Sequence, residues 1–136
     1  MSKFDDAVRE SLKAGQDYQA ALQDLDDLTR ELDESVRKAT GGAVMIDCEY
    51  RGAQGRRQRA DIVARGSETR GLWEVVFSSD GYPVKVIAPD DSVILCVTRT
   101  DLEDTFDTLL RQGTTGRLLR LLQGPSQQAS EVDTLQ

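Results

Sequence analysis

Between residues 47 and 74 the chain gathers most of the side chains that could do chemistry. These are the carboxylates of Asp47, Glu49, Asp61 and Glu74, and the guanidiniums of Arg51, Arg56, Arg57, Arg59, Arg65 and Arg70. Carboxylates on neighbouring strands can hold a hard cation such as Mg²⁺, which polarises a phosphodiester and activates water. Guanidiniums offer a planar fork of donors that matches phosphate or carboxylate. A third use of the same residues needs no ligand, because opposite charges on adjacent strands pair with one another across a sheet.

Other chemistries are absent from the sequence. The chain has no histidine, which removes Ser-His-Asp and Cys-His catalysis, histidine metal ligation and simple proton shuttling near neutrality. Cys48 and Cys96 both fall in strand-like runs, where a free thiol behaves as a small buried hydrophobe, and their spacing is not that of a zinc site. Neither a P-loop nor a dinucleotide fingerprint occurs. What survives is Asp61 followed on the next expected strand by Glu74-Val75-Val76. This faintly resembles the PD-(D/E)xK nucleases, in which an acid is followed by acid-x-lysine; the resemblance implies a metal-dependent nuclease using Asp61 and Glu74, although that family's lysine is missing. The preferred reading is non-catalytic, with no metal and no cofactor.

The arginines are the sharper feature. Residues 51 to 70 hold six of them against Asp61 and Glu68, in a chain whose formal charge is -7. That total disfavours generic attraction to nucleic acid or anionic membrane. The hairpin carrying Arg51, Arg56, Arg57, Arg59, Arg65 and Arg70 is therefore expected to meet an acidic protein partner or the acidic helix of a second copy. Nucleic acid is the alternative, and a solvated or internally paired face is the bland one.

The elements that must position these groups follow from periodicity. Residues 1 to 40 read as one amphipathic helix, with Phe4, Val8, Leu12, Tyr18, Leu22, Leu25, Leu32 and Val36 at spacings of three and four, stopped by Gly41-Gly42. Some 36 helical residues span about 54 Å, whereas a compact chain of this size is roughly 35 to 40 Å across. Either the helix breaks near Gly15 or its first part projects, and Phe4, Val8, Leu12 and Tyr18 are then expected to face a partner or a second copy. Residues 43 to 98 alternate as five short strands, and short turns between them make an antiparallel meander the simplest topology. Trp73, Val75 and Phe77 mark the core face, and Asp80-Gly81 marks a hairpin. Ser92 to Thr98, apolar on both faces, reads as the middle of the sheet. Thr100-Asp101-Leu102-Glu103 reads as a capping box, residues 100 to 123 as two helices, and 124 to 136 as a disordered tail.

The outline of a long helix, a glycine pair, antiparallel strands and a closing helix is similar to that of the YbaB/EbfC-type nucleoid-associated dimers over the helix and first strands, and the further strands exceed that pattern. Small size and acidity are also similar to type III secretion chaperones, which interrupt their strands with a helix where this chain does not. Neither resemblance assigns a family. The sequence is read as one α+β domain over residues 1 to 123: a long N-terminal amphipathic helix, a five-stranded antiparallel meander and a C-terminal helix pair on one sheet face. The absence of any run near the roughly 20 apolar residues of a membrane span adds the expectation of a cytoplasmic protein with no membrane partner. Its expected work is non-catalytic protein binding, as a homodimer or with a cognate partner.

Overall fold

The computed structural model of the chain describes residues 3–52 and 58–124. Helix α1 (Lys3–Ala39) precedes five strands, β1 (Met45–Arg51), β2 (Arg59–Arg65), β3 (Thr69–Ser78), β4 (Gly81–Ile87) and β5 (Val93–Cys96), and helices α2 (Arg99–Leu110) and α3 (Gly113–Leu122) close the chain. The strands form one sheet in the order β1-β2-β3-β4-β5, every pair antiparallel. This is the α+β meander expected from the sequence.

Helix α1 lies along one face of the sheet. Leu22, Leu25, Leu28, Leu32 and Val36 bury its apolar stripe against Ile46, Ile62, Val75, Val84 and Val86, and this burial supplies the main driving force for docking. Aspartates on either side of the stripe then fix the helix in place. Asp33 accepts from the Ile46 amide at 2.8 Å, Asp26 from the Tyr50 hydroxyl at 2.5 Å and Asp24 from the Tyr82 hydroxyl at 2.9 Å. Arg99, at the start of α2, reaches Asp24 and Asp27 at 3.4 Å each. Acids on one flank of the stripe thus tie α1 to β1, and those on the other tie it to β4 and α2.

The helix is unbroken through Gly15, so the second of the two length expectations holds: it projects. Contact with the sheet begins near Asp17, where the β3–β4 turn comes up against the helix. Gly81 has φ +91 there, and a Cβ on it would lie 2.8 Å from that of Ala21 and 2.9 Å from the Asp17 carbonyl oxygen. Both the backbone conformation and the close approach demand glycine. At the other end Gly41 and Gly42 take φ +62 and +83 and end the helix, while Thr40 accepts from the Val44 amide and leads the chain into β1.

Three local expectations need correction. Ser92 to Thr98 is not central: β5 is an edge strand. Its second apolar face is exposed, because the described helices cover only one side of the sheet. Helix α2 is capped by Thr98 rather than Thr100; its side chain accepts from the Asp101 amide, and Asp101 accepts from the Val97 amide at 3.0 Å. An aspartate two residues earlier makes the reciprocal exchange assigned to Glu103. Strict alternation also fails in β3, where Leu72 and Trp73 are both buried. A bulge puts Val63 opposite Gly71 and Ile62 opposite Trp73, so Leu72 is the extra residue and the faces slip by one.

On the core face Trp73 packs against Phe106 of α2 with ring centroids 5.1 Å apart. The α3 end is held by the Ser67 amide, which donates to the Leu122 carbonyl. Of the α3 leucines Leu122 is buried and Leu121 exposed.

The tyrosine anchors carry a pH signature. Burial, then the hydrogen bond to Asp26, pushes the Tyr50 phenol well above its ordinary 10.0; burial and Asp24 do the same for Tyr82. Burial raises the Cys48 thiol from 9.0 to about 12. Each group is held protonated in the fold, so its contribution is fully present below its unfolded value and is lost as pH rises above it. Unfolding free energy measured by denaturant titration should be level from about pH 7 to 9 and fall above it, steeply past pH 10. Tyr50→Phe with Tyr82→Phe should cost about 1 to 3 kcal/mol per hydrogen bond at neutrality and flatten the alkaline fall to the part owed to the thiols of Cys48 and Cys96, both raised by burial.

Candidate functional site

The meander places the chemistry-bearing residues on the sheet face turned away from the helices. Cross-strand register sets them in rows. One row runs Glu49, Asp61, Glu74 across β1, β2 and β3, and the neighbouring row begins Arg51, Arg59. Like charges directly opposite one another are unfavourable, and the structure relieves both rows diagonally. Arg51 binds Asp61 at 2.8 Å and Glu74 at 3.0 Å, Arg59 binds Glu74 at 3.2 Å, and Arg65 pairs with Glu49 and Asp47. Arg70 pairs with Glu68 beyond the bulge. Arg56 and Arg57 lie outside the described residues.

This geometry changes the meaning of the arginine run. Counted along the chain, residues 51 to 70 are basic; counted across the sheet, Arg51, Arg59 and Arg65 meet four carboxylates, because β1 brings Asp47 and Glu49 and β3 brings Glu74. The described arginines are engaged within their own face. Asp61 and Glu74 are indeed cross-strand neighbours, as the nuclease resemblance requires, but the Arg51 guanidinium sits between them where a cation would bind. Among the described residues no group of three or more Asp, Glu, Cys or His is placed to hold a metal ion. Cys48 and Cys96 are both free thiols.

The helical candidates divide. Val8 and Leu12 are 56% and 66% exposed and Phe4 is similarly open beneath the Lys3 ammonium. Tyr18, grouped with them by its spacing, belongs to the fold: it is half-buried, edge-on to Phe77 with centroids 6.2 Å apart. The exposed apolar stripe therefore ends before Tyr18, because the β3–β4 turn reaches α1 at that point.

A further surface escapes the sequence reading. On the outer face the charges thin to Lys85 on β4 and end at β5, where Val93, Leu95 and Val97 are each more than half exposed. A signal for it is present: the last strand of a meander is an edge, so residues apolar on both of its sides cannot all be covered. No helix among the described residues is long and apolar enough to cross a membrane. No family model, curated protein or solved structure matches the chain.

Two measurements test the charge reading. Arg51→Met removes the guanidinium that neutralises Asp61 and Glu74; stability should fall by about 1 kcal/mol at low salt and by less near 1 M salt, where the Debye length is about 3 Å. Duplex DNA should bind no tighter than non-specifically, about 10⁻⁴ to 10⁻⁶ M at physiological salt, measured by fluorescence anisotropy. Nanomolar affinity would restore the arginines as a phosphate-binding site.

Proposed function

We propose that the protein is a non-catalytic, cytoplasmic protein-binding module that engages a cognate protein through the projecting first part of α1. The observation that carries this reading is the exposure of Val8 and Leu12 on a helix that leaves the sheet behind at Asp17. Residues 3 to 16 extend about 21 Å at 1.5 Å per residue. A helix of that length is marginal in water by itself, and the sheet supports it only at its far end. Apolar anchors at positions 4, 8 and 12 lie on one side of such an arm, the pattern by which an amphipathic helix enters an apolar groove.

Two observations favour protein over nucleic acid and over catalysis. The described arginines are matched by carboxylates in the same face, which leaves little free positive charge for phosphate. Arg51 bridges the Asp61–Glu74 pair that a nuclease reading needs. Two unbridged thiols fit a reducing compartment.

Val8→Asp with Leu12→Asp tests the assignment. Neither side chain is buried in the fold, so the thermal midpoint should move by no more than about 1 to 2 °C, within the small effect expected of surface changes. Capture of the cognate protein from the source lysate should be lost, and in the wild-type complex amide exchange over residues 3 to 16 should slow. Equal capture by the double variant overturns the arm as the binding element. Mg²⁺- or Mn²⁺-dependent nucleic-acid cleavage that disappears in Asp61→Asn overturns the non-catalytic reading.

A further inference from the structure

The two edges of the sheet are finished differently. At β1 two of the outward amides are occupied: Ile46 donates to Asp33 of α1 and Cys48 to the carboxylate of Asp47. The strand also carries Asp47, Glu49 and Arg51, charges of the kind that keep an edge from pairing with another chain. At β5 the run Ser92 to Thr98 has no charge at all. The Ala88 amide donates to the Ser92 carbonyl, and the register continues as Val86 opposite Ile94 and Val84 opposite Cys96. Because bonded and non-bonded pairs alternate in an antiparallel ladder, Ser92, Ile94 and Cys96 bond inward to β4. Val93 and Leu95 direct their N–H and C=O groups to the open edge. Val97 is the next in that series, and Asp101 takes its amide, so the open segment is short and bounded.

We propose that β5 pairs antiparallel with β5 of a second copy about a two-fold axis at Ile94, making a closed dimer with one ten-stranded sheet. The register is self-complementary. With Ile94 opposite Ile94 of the second copy, Val93 faces Leu95 and Leu95 faces Val93, and these are the residues whose backbone groups point outward. Both pairs are then hydrogen-bonded pairs, and all four open N–H and C=O sets are used. Side chains agree with backbone. On the outer face Ile87 and Val93 of one copy continue into Leu95 and then Lys85 of the other, and the same row repeats in reverse, so the exposed apolar side chains of each copy lie beside those of its mate and shield one another laterally. No charged residue opposes a like charge at Val93, Ile94 or Leu95. Among the described residues β1 is obstructed by Asp33, Asp47 and its row of charges and β5 is the open edge, so assembly stops at two rather than running on as a filament. This pairing is independent of the α1 arm.

Sedimentation velocity on the full chain at micromolar concentration should give twice the 15.0 kDa chain mass. Leu95→Lys, at a position 57% exposed in the single chain, should keep the circular dichroism spectrum and sediment as a monomer, while Val8→Asp with Leu12→Asp should remain dimeric. Ile94→Cys reads the register directly. At a non-hydrogen-bonded pair the Cα atoms lie about 4.5 Å apart, within disulfide reach, so mild oxidation should cross-link this variant across the axis, and Val93→Cys far less. A wild-type monomer, a dimer lost in the arm variant but kept in Leu95→Lys, open-ended assembly, or cross-linking at Val93→Cys in preference to Ile94→Cys would each overturn the proposal.

Discussion

A five-stranded sheet covered by helices on one side leaves its other side to water, and most of the molecule's unusual features are responses to that constraint. The covered side is solved in the ordinary way, by the leucines of α1 meeting alternate residues of β1 to β4. The uncovered side is solved twice, differently in its two halves. From β1 to β3 it is built of carboxylates and guanidiniums in register, kept from mutual repulsion by diagonal pairs. From β4 to β5 it carries one charge, Lys85, beside the apolar Ile87, Val93, Leu95 and Val97, and is covered by nothing among the described residues. An exposed charged lattice of this kind adds modest stability, but it makes the β1–β3 half soluble and self-contained. The contrast between the halves, rather than either alone, is what the proposed β5 pairing rests on.

The same division appears in the aspartates of α1. Asp33 occupies an edge amide of β1, Asp26 and Asp24 take the phenols of Tyr50 and Tyr82, and Asp24 and Asp27 receive Arg99. An acidic helix face that looks solvated in the sequence is therefore the means by which α1 is aligned over the sheet. Alignment has a consequence for the arm. With the backbone at Asp17 packed close against the Gly81 turn and Asp33 bonded at the β1 edge, the axis of α1 is set, and the residues before Asp17 continue along it into solvent.

The sequence makes the architecture legible because each element has a strong period and a clear stop. The helix stripe, the Gly41-Gly42 terminus, the Asp80-Gly81 turn and the core face of Trp73, Val75 and Phe77 are all local signals, and the structure keeps them. What it hides are relations across strands. The arginine run appears basic along the chain, since Asp47, Glu49 and Glu74, which neutralise it, belong to neighbouring strands. Tyr18 follows the same spacing as Val8 and Leu12, and only the reach of the β3–β4 turn assigns it to the fold. The bulge at Leu72 cannot be read from alternation, because two adjacent large apolar residues fit either face. Ser92 to Thr98 misleads for a different reason: apolar on both sides is the mark of a central strand, and the mark fails here because β5 lies at the sheet edge with one side left exposed.

The arm shows how a stable part of a fold can prepare an unstable one. Forming the first turn of a helix is the costly step, and extension from an existing helix adds a hydrogen bond for each residue fixed. Residues 17 to 39 are held helical by packing, so residues 3 to 16 inherit a nucleus they could not form alone. Gly15 works against them, since glycine inside a helix is about 1 kcal/mol worse than alanine. Nothing nearby requires the small residue, because a Cβ at this position would meet no other atom within 4 Å. A weak link at the point where support ends lets the arm fray without loosening the core. When fully helical, the arm presents Val8 and Leu12 already spaced for a groove. In the binding role proposed for the arm, a partner would meet a helix already formed, a smaller entropic cost than ordering a free peptide.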